Sequence, residues 1–308
     1  MSPDISIFRS IHITRIVFHI CAGGRRGPFM RLLSIFHMNS EKPRRCEVLG
    51  IPVDCVTMEG ALGYTERLIE CGEKRQYILA INPEKVMILL KDEGLRKTFA
   101  DAALLIPDGI GVVWAMRRLH GFAAVRVPGS ELMPNLCALA ARKGYGIFLF
   151  GSKEEVNRGA AERLAQRYPG LKIAGRANGY LKEEEMPGLV ERINASGAKI
   201  LFVALGSPKQ EQWIQRWLPE LNVAICQGIG GTLDTIVGTV KRAPPIFCRL
   251  GLEWFYRLIT DPSRARRQAV LPVFAWKVIK NKGLRTNFYF VRFHRNDNLK
   301  SDSEKLLP

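Results

Sequence analysis

Asp108 is the residue of this sequence best placed to act as a base. It follows a short apolar run and a proline and stands beside glycine, in Ile106-Pro107-Asp108-Gly109-Ile110-Gly111. Such a loop can hold a carboxylate at a sheet edge, partly out of water. There it can take the proton of a sugar hydroxyl as that oxygen attacks an activated carbon. An aspartate in Pro-Asp-Gly is also a common turn or N-cap residue, and the residue types alone leave both uses open.

Elimination narrows the remaining chemistry. Of five histidines only His120 lies between residues 46 and 240, which argues against a histidine base or a histidine metal site. The sequence has no Walker A motif and no G-x-S-x-G. Nowhere are two aspartates separated by one residue, the pairing that holds a divalent cation against a diphosphate. A diphosphate would be met here by helix N-termini and arginines, with no metal. Gly228-Ile229-Gly230-Gly231-Thr232-Leu233-Asp234 is close to a dinucleotide fingerprint, but Leu233 stands where the third glycine belongs and the loop comes late in the chain. A dinucleotide-dependent oxidoreductase is therefore the weaker reading. Seven cysteines without a C-x-x-C fit neither a zinc site nor a disulfide framework, and point to a reducing cytosol.

Two more turns have the form of anion sites. Phe148-Leu149-Phe150-Gly151-Ser152-Lys153-Glu154-Glu155 gives Ser152 and Glu155 capping-box spacing. In Ala204-Leu205-Gly206-Ser207-Pro208-Lys209-Gln210-Glu211, Ser207 can cap, Pro208 takes the first helical position, and Gln210 has the reciprocal capping place. Each puts glycine and fresh backbone N–H groups at a helix start, which favours an anion such as a diphosphate.

The elements that must position these turns alternate along the chain. Apolar runs at 48–53, 77–81, 103–106, 146–150, 172–175, 200–205 and 223–227 read as strands. Helical patterns fall at 60–71, 84–91, 111–120, 131–143, 154–168, 183–195 and 208–217. This alternation predicts an α/β fold, a mostly parallel sheet with helices on both faces, whose ligands sit beyond the carboxyl ends of the strands.

Charge divides the 308 residues into three parts. Residues 46–240 hold 23 basic and 22 acidic residues, residues 1–45 hold 8 and 2, and residues 241–308 hold 15 and 5. The total is +17, but the body is nearly neutral, which disfavours a nucleic-acid binder whose fold is itself the basic footprint. Residues 1–45, with Met38 opening a polar lead-in, are expected to carry little of the fold, as an upstream start or a loosely ordered basic arm. Arg15 and Arg25-Arg26 break the faint likeness of residues 11–24 to a signal peptide. The C-terminal run from Arg249 to Lys277 interleaves Trp254, Phe255, Tyr256, Phe274 and Trp276 with arginines. That mixture suits a membrane headgroup boundary. A docked amphipathic helix and an RNA-binding tail are the alternatives.

In order along the chain stand Asn82-Pro83-Glu84, Pro107-Asp108-Gly109-Ile110-Gly111, Arg126-Val127-Pro128-Gly129-Ser130, Phe150-Gly151-Ser152, Asn178-Gly179-Tyr180, Gly206-Ser207-Pro208-Lys209-Gln210-Glu211 and Gly228-Ile229-Gly230-Gly231. Over about residues 46–268 this resembles the WecG/TagA/CpsF family of bacterial glycosyltransferases. The resemblance implies a Rossmann-like domain, set at 46–240, and a C-terminal, membrane-associating helical appendage, which with the tail beyond the resemblance makes up 241–308. It implies an inverting enzyme that uses neither metal nor other cofactor. Such enzymes move a sugar, N-acetylmannosamine or a related hexose, from a UDP-sugar to a polyprenyl-diphosphate-linked sugar. They work as peripheral proteins on the inner face of the cytoplasmic membrane, in cell-envelope polysaccharide synthesis.

By position, the resemblance makes Asp108 the general base, and sets Asn82 and Arg126 beside the acceptor and the leaving diphosphate. Tyr180, Gln210 and Asp234 match residues that contact the nucleotide, and Gly151, Ser152, Gly206, Pro208 and Lys209 belong to the same UDP-sugar turns. Arg257, Arg264 and Arg267 match appendage arginines that meet the lipid diphosphate at an anionic membrane surface. Ala80 departs from the family pattern, which tends to have threonine there, and removes a hydroxyl from the sugar-binding edge. The implied partners are the two substrates and the membrane, with no nucleic acid; a homo-oligomer stays open.

Overall fold

The computed structural model describes residues 41–240, 243–244, 246–247, 252–260 and 265–281. Residues 1–40 of the expected N-terminal arm, Arg264 and the tail beyond residue 281 lie outside the described residues.

Six strands form one parallel sheet in the order β4-β3-β8-β7-β5-β6. They are β3 (Gln76–Ile81), β4 (Leu104–Pro107), β5 (Gly146–Gly151), β6 (Lys172–Ala177), β7 (Ile200–Ala204) and β8 (Ile225–Gly228). Strands covered on both faces read as unbroken apolar runs; all five residues of β7, Ile-Leu-Phe-Val-Ala, are buried.

Helices cover both faces. One core holds side chains of α2 (Pro83–Leu89), α3 (Glu93–Ala100), α4 (Ile110–His120), α7 (Met186–Ala195) and α8 (Lys209–Trp217). The other holds those of α1 (Met58–Glu70), α5 (Gly129–Lys143), α6 (Glu154–Arg167) and α9 (Thr232–Val237). Side-chain caps start three helices: Thr57 accepts from Gly60 N–H, Asn82 from Lys85 N–H and Asp92 from Leu95 N–H. Helix α3 was not expected. Its signal is short, an Asp92 cap followed by Leu95 and Phe99 four residues apart, both buried. The C-terminal segment contributes α10 (Glu253–Thr260), α11 (Ala265–Gln268) and α12 (Val270–Lys280). Helix α12 packs on α2 and α4, with Phe274 and Val278 buried.

The expected strand at 48–53 is instead split by the turn of a hairpin into the end of one strand and the start of the next. Strand β1 (Arg44–Val48) pairs antiparallel with β2 (Ile51–Cys55), and Leu49 and Gly50 turn between them with φ of 55° and 80°. Leu49, an apolar residue in a left-handed position, hides the turn from a hydrophobic pattern. The hairpin is fastened to β4 by a buried aspartate. Asp54 accepts from Arg45 Nε (2.8 Å) and Nη2 (3.0 Å) and from Leu105 N–H (2.7 Å). Arg45 then donates to the carbonyls of Ala100 and Ala102, both at 2.8 Å.

Breaking a buried charge pair leaves an uncompensated partner. Asp54→Asn, which removes the charge and sets an amide NH₂ against an N–H that can only donate, is expected to cost about 3 kcal/mol, or roughly 6–12 °C in melting temperature for a domain of this size. A melt within about 2 °C of the unaltered protein would show that the hairpin is held by its apolar side chains instead.

Candidate active site

The loops leaving β3, β4, β7 and β8 surround a cavity of about 1020 Å³. Strand β4 delivers Asp108 to its wall. The Asp108 N–H donates to Ile81 O (2.8 Å), tying the loop to the end of β3. Gly109 then turns the chain with φ of 114° and α4 begins. The carboxylate does not cap α4. Its Oδ2 accepts from Gly129 N–H at the start of α5 (3.3 Å), and the side chain keeps 31% of its exposure. A carboxylate so held is oriented yet reachable.

Arg126 lies on the other side of Asp108. The neighbouring Val127 N–H donates to Pro107 O (2.9 Å), which fixes the arginine loop along β4. Arg126 Nη2 is 3.9 Å from Asp108 Oδ1 and 2.5 Å from Glu253 Oε2 on α10. Burial opposes the guanidinium charge, but Glu253 and Asp108 outweigh it and hold the pKa above the ordinary arginine value. Its Nε is buried without a partner among the described residues.

Asn82, Gly206, Gln210, Asp234 and Arg267 also line the cavity. Asn82 Oδ1 is engaged as the cap of α2, accepting from Lys85 N–H at 2.8 Å. Asp234 accepts from Ser152 Oγ at 3.2 Å. Arg267 Nε is 3.4 Å from Glu84 Oε2, joining α11 to α2. The starts of α4 and α5, at Gly109-Ile110-Gly111 and Gly129-Ser130, bring backbone amides and the positive ends of two helix dipoles to the wall. A second, apolar part of the wall comes from Trp114 of α4, Leu258 of α10, and Leu271, Pro272 and Phe274 of α12.

The other expected site residues stand apart from the cavity wall. Gly151 ends β5 against the backbone of Ala204 in β7. Ser152 is left-handed (φ 58°) and reaches the cavity only through Asp234. The capping boxes read from sequence are not formed. Lys153 is the N-cap of α6 and Pro208 that of α8, neither with a side-chain cap bond. Ser152 Oγ is instead drawn to Asp234, and Gln210 is buried rather than facing solvent. Lys209 opens α8 at the surface, and Tyr180 is 72% exposed on the loop after β6. Arg257 belongs to α10, but its side chain lies outside the described residues, as does all of Arg264. His120, at the end of α4, is engaged with Glu47 O (2.7 Å) and does not line the cavity.

Sequence reasoning missed Glu253 and Lys85 as parts of this site. Glu253 is the lone acid within Arg249–Arg257, a local oddity that could have flagged it. Lys85 gives no comparable signal, because its partner Glu211 is 126 residues away.

An open parallel sheet with a carboxylate, an arginine and two helix starts at the carboxyl edge of its strands is the arrangement of an α/β enzyme, and helix starts at such an edge suit an anion. The sequence matches the glycosyl transferase WecG/TagA/CpsF family over residues 46–287. It is also 35% identical over 212 residues to the N-acetylglucosaminyldiphosphoundecaprenol N-acetyl-β-D-mannosaminyltransferase of Bacillus subtilis (strain 168), covering 69% of this chain and 82% of that protein. The chain belongs to the WecG/TagA/CpsF family and is a glycosyltransferase.

Proposed function

We propose that this glycosyltransferase moves a sugar, N-acetylmannosamine or a related hexose, from a UDP-sugar to a polyprenyl-diphosphate-linked sugar, with inversion and without a metal. The observation that carries the reading is the Asp108 carboxylate. It is held by Gly129 N–H and faces Arg126, in a cavity that has both amide-lined and apolar walls. The Bacillus relative is named for an acceptor in which N-acetylglucosamine is joined through a diphosphate to a long prenyl alcohol. A ligand of that kind needs both kinds of wall.

In the reaction, Asp108 takes the proton of the acceptor hydroxyl as that oxygen attacks the anomeric carbon of the donor. The bond from that carbon to the diphosphate oxygen breaks on the opposite face, inverting the centre. UDP leaves with the electron pair. Arg126 and the amides at the starts of α4 and α5 meet the developing charge on the diphosphate.

The test is a thermal-shift panel of UDP-sugars followed by transfer to a synthetic prenyl-diphosphate sugar in the presence of a chelator. Stabilisation by uridine nucleotides and transfer that survives chelation are the expected results. Indifference to uridine nucleotides would end the reading.

The exposed side of α12 supports a peripheral membrane site, which we place on the inner face of the cytoplasmic membrane. Val273, Trp276 and Ile279 are exposed there, with Lys280 over the Trp276 ring at 4.8 Å. No helix among the described residues is long and apolar enough to cross a membrane. Such a face suits insertion to headgroup depth. Charge reversal at Arg257, Arg264 or Arg267 is expected to reduce transfer to a long-chain lipid acceptor several-fold more than transfer to a short soluble one, since about 1 kcal/mol of surface attraction goes with each cation. Equal losses on both acceptors would count against the membrane role.

A further inference from the structure

A buried polar chain beneath the cleft has no part in the chemistry above. Glu211 is fully buried, and its Oε1 lies 2.7 Å from Lys85 Nζ. The same oxygen accepts from Gln210 Nε2 at 3.1 Å, and Gln210 Oε1 accepts from Gly230 N–H at 2.9 Å. Lys85 is tied through its own N–H to Asn82 Oδ1 at 2.8 Å. One hydrogen-bonded path therefore joins the loops leaving β3, β7 and β8.

A carboxamide taken alone can be turned end for end. Here each end of Gln210 meets a group of fixed polarity. Gly230 N–H can only donate, and a carboxylate paired with an ammonium can only accept. Reversal would set the amide oxygen against the Glu211 carboxylate and its NH₂ against another N–H. Shape acts in the same sense. A β-carbon on Gly228 would lie 2.8 Å from Gln210 Nε2, so the amide nitrogen passes where a side chain would otherwise stand. Gly228 and Gln210 both line the cleft. Among the described residues Oε1 is engaged by Gly230 and one N–H by Glu211, so the second N–H of Nε2 is the donor that Gln210 has left for a ligand.

We propose that Glu211 and Lys85 are positioning residues. Their buried pair fixes the Gln210 carboxamide so that it offers the cleft an N–H donor and holds the Gly228–Gly231 loop in place. The group it selects is an acceptor oxygen of the donor substrate. That last identification rests on the glycosyltransferase reading above; the ordering of the loop does not.

Lys85→Met/Glu211→Leu replaces the pair with apolar side chains of similar size and leaves no isolated charge in the interior. The full chain carrying both changes is expected to melt close to the unaltered protein. Its Gly230 amide should exchange hydrogen about tenfold faster, read in peptides covering residues 228–234. The KM for the UDP-sugar should rise about tenfold, the effect of losing one oriented hydrogen bond, with kcat changed far less. Lys85→Met/Glu211→Gln returns an acceptor oxygen to Gln210 and is expected to recover most of the lost affinity. A pair that only stabilised the fold would not separate these two variants. Unchanged Gly230 protection and unchanged KM in Lys85→Met/Glu211→Leu would overturn the proposal. Hydrogen exchange needs no substrate, so it decides the loop's dependence on the pair even if no UDP-sugar is turned over by the unaltered chain, which would be the failure of the functional reading.

Discussion

Asp108→Asn is expected to lower kcat by about 10²- to 10⁴-fold, the usual contribution of a general base, equivalent to about 3–5 kcal/mol of barrier. Asparagine is the informative replacement because its carbonyl oxygen can still accept from Gly129 N–H, the bond that orients the carboxylate at 3.3 Å. Its amide cannot take a proton. Arg126 loses one of its two carboxylates but keeps Glu253 at 2.5 Å, so the wall should not rearrange. Melting temperature and UDP affinity should therefore stay close to those of the unaltered protein, while single-turnover transfer collapses. A variant that retained a third or more of normal turnover would remove Asp108 from the chemistry. Its carboxylate would then be a turn residue fastening the start of α5.

The second large effect is on stability. Gly151→Ala is expected to cost about 3 kcal/mol or more, because a β-carbon there would overlap the carbonyl carbon and oxygen of Ala204 on the neighbouring strand. The backbone φ of 121° also lies where L-residues with side chains are strained. Neither strand can yield easily, since β5 and β7 are central, buried and paired along their length. Gly206→Ala is the matched control. It too has positive φ, 75°, but nothing lies within 4 Å of the added carbon, so strain alone costs about 1 kcal/mol. Chemical or thermal denaturation should rank the two clearly, with Gly151→Ala lower by about 2 kcal/mol. Equal stabilities would mean that strand packing around Gly151 relaxes freely.

These effects depend on features of different legibility. The parallel sheet could be read from the chain because strands such as β7 are apolar throughout and are separated by helical periods. Asp108 could be singled out because proline and glycine mark the end of a strand locally. The hairpin could not, because its turn is made with a leucine. The serines misled for a related reason. Ser152 and Ser207 have capping spacing, yet Ser152 Oγ meets Asp234, 82 residues further on, and neither α6 nor α8 has a side-chain cap bond. Gln210 has the spacing of the reciprocal half of a capping box; the bare backbone of Gly228 instead admits its amide into the interior.

Taken alone, the amino-acid sequence determined the alternation of strands and helices, the neutral body between basic ends, and the ordered motifs that mark the family. Each depends on residues within a few positions of one another, where propensity, capping and hydrophobic period act. Only the tertiary structure decided which of those motifs share a cleft. It brought Arg126 between Asp108 and Glu253, Lys85 onto Glu211, and Gln210 under Gly230. Tyr180, Lys209 and Gly151 it left apart from the cavity wall. The physical reason is that short-range preferences shape an element but not its neighbours. The neighbours follow from strand order and from which side chains the buried faces can accept, and both are properties of the whole packed chain.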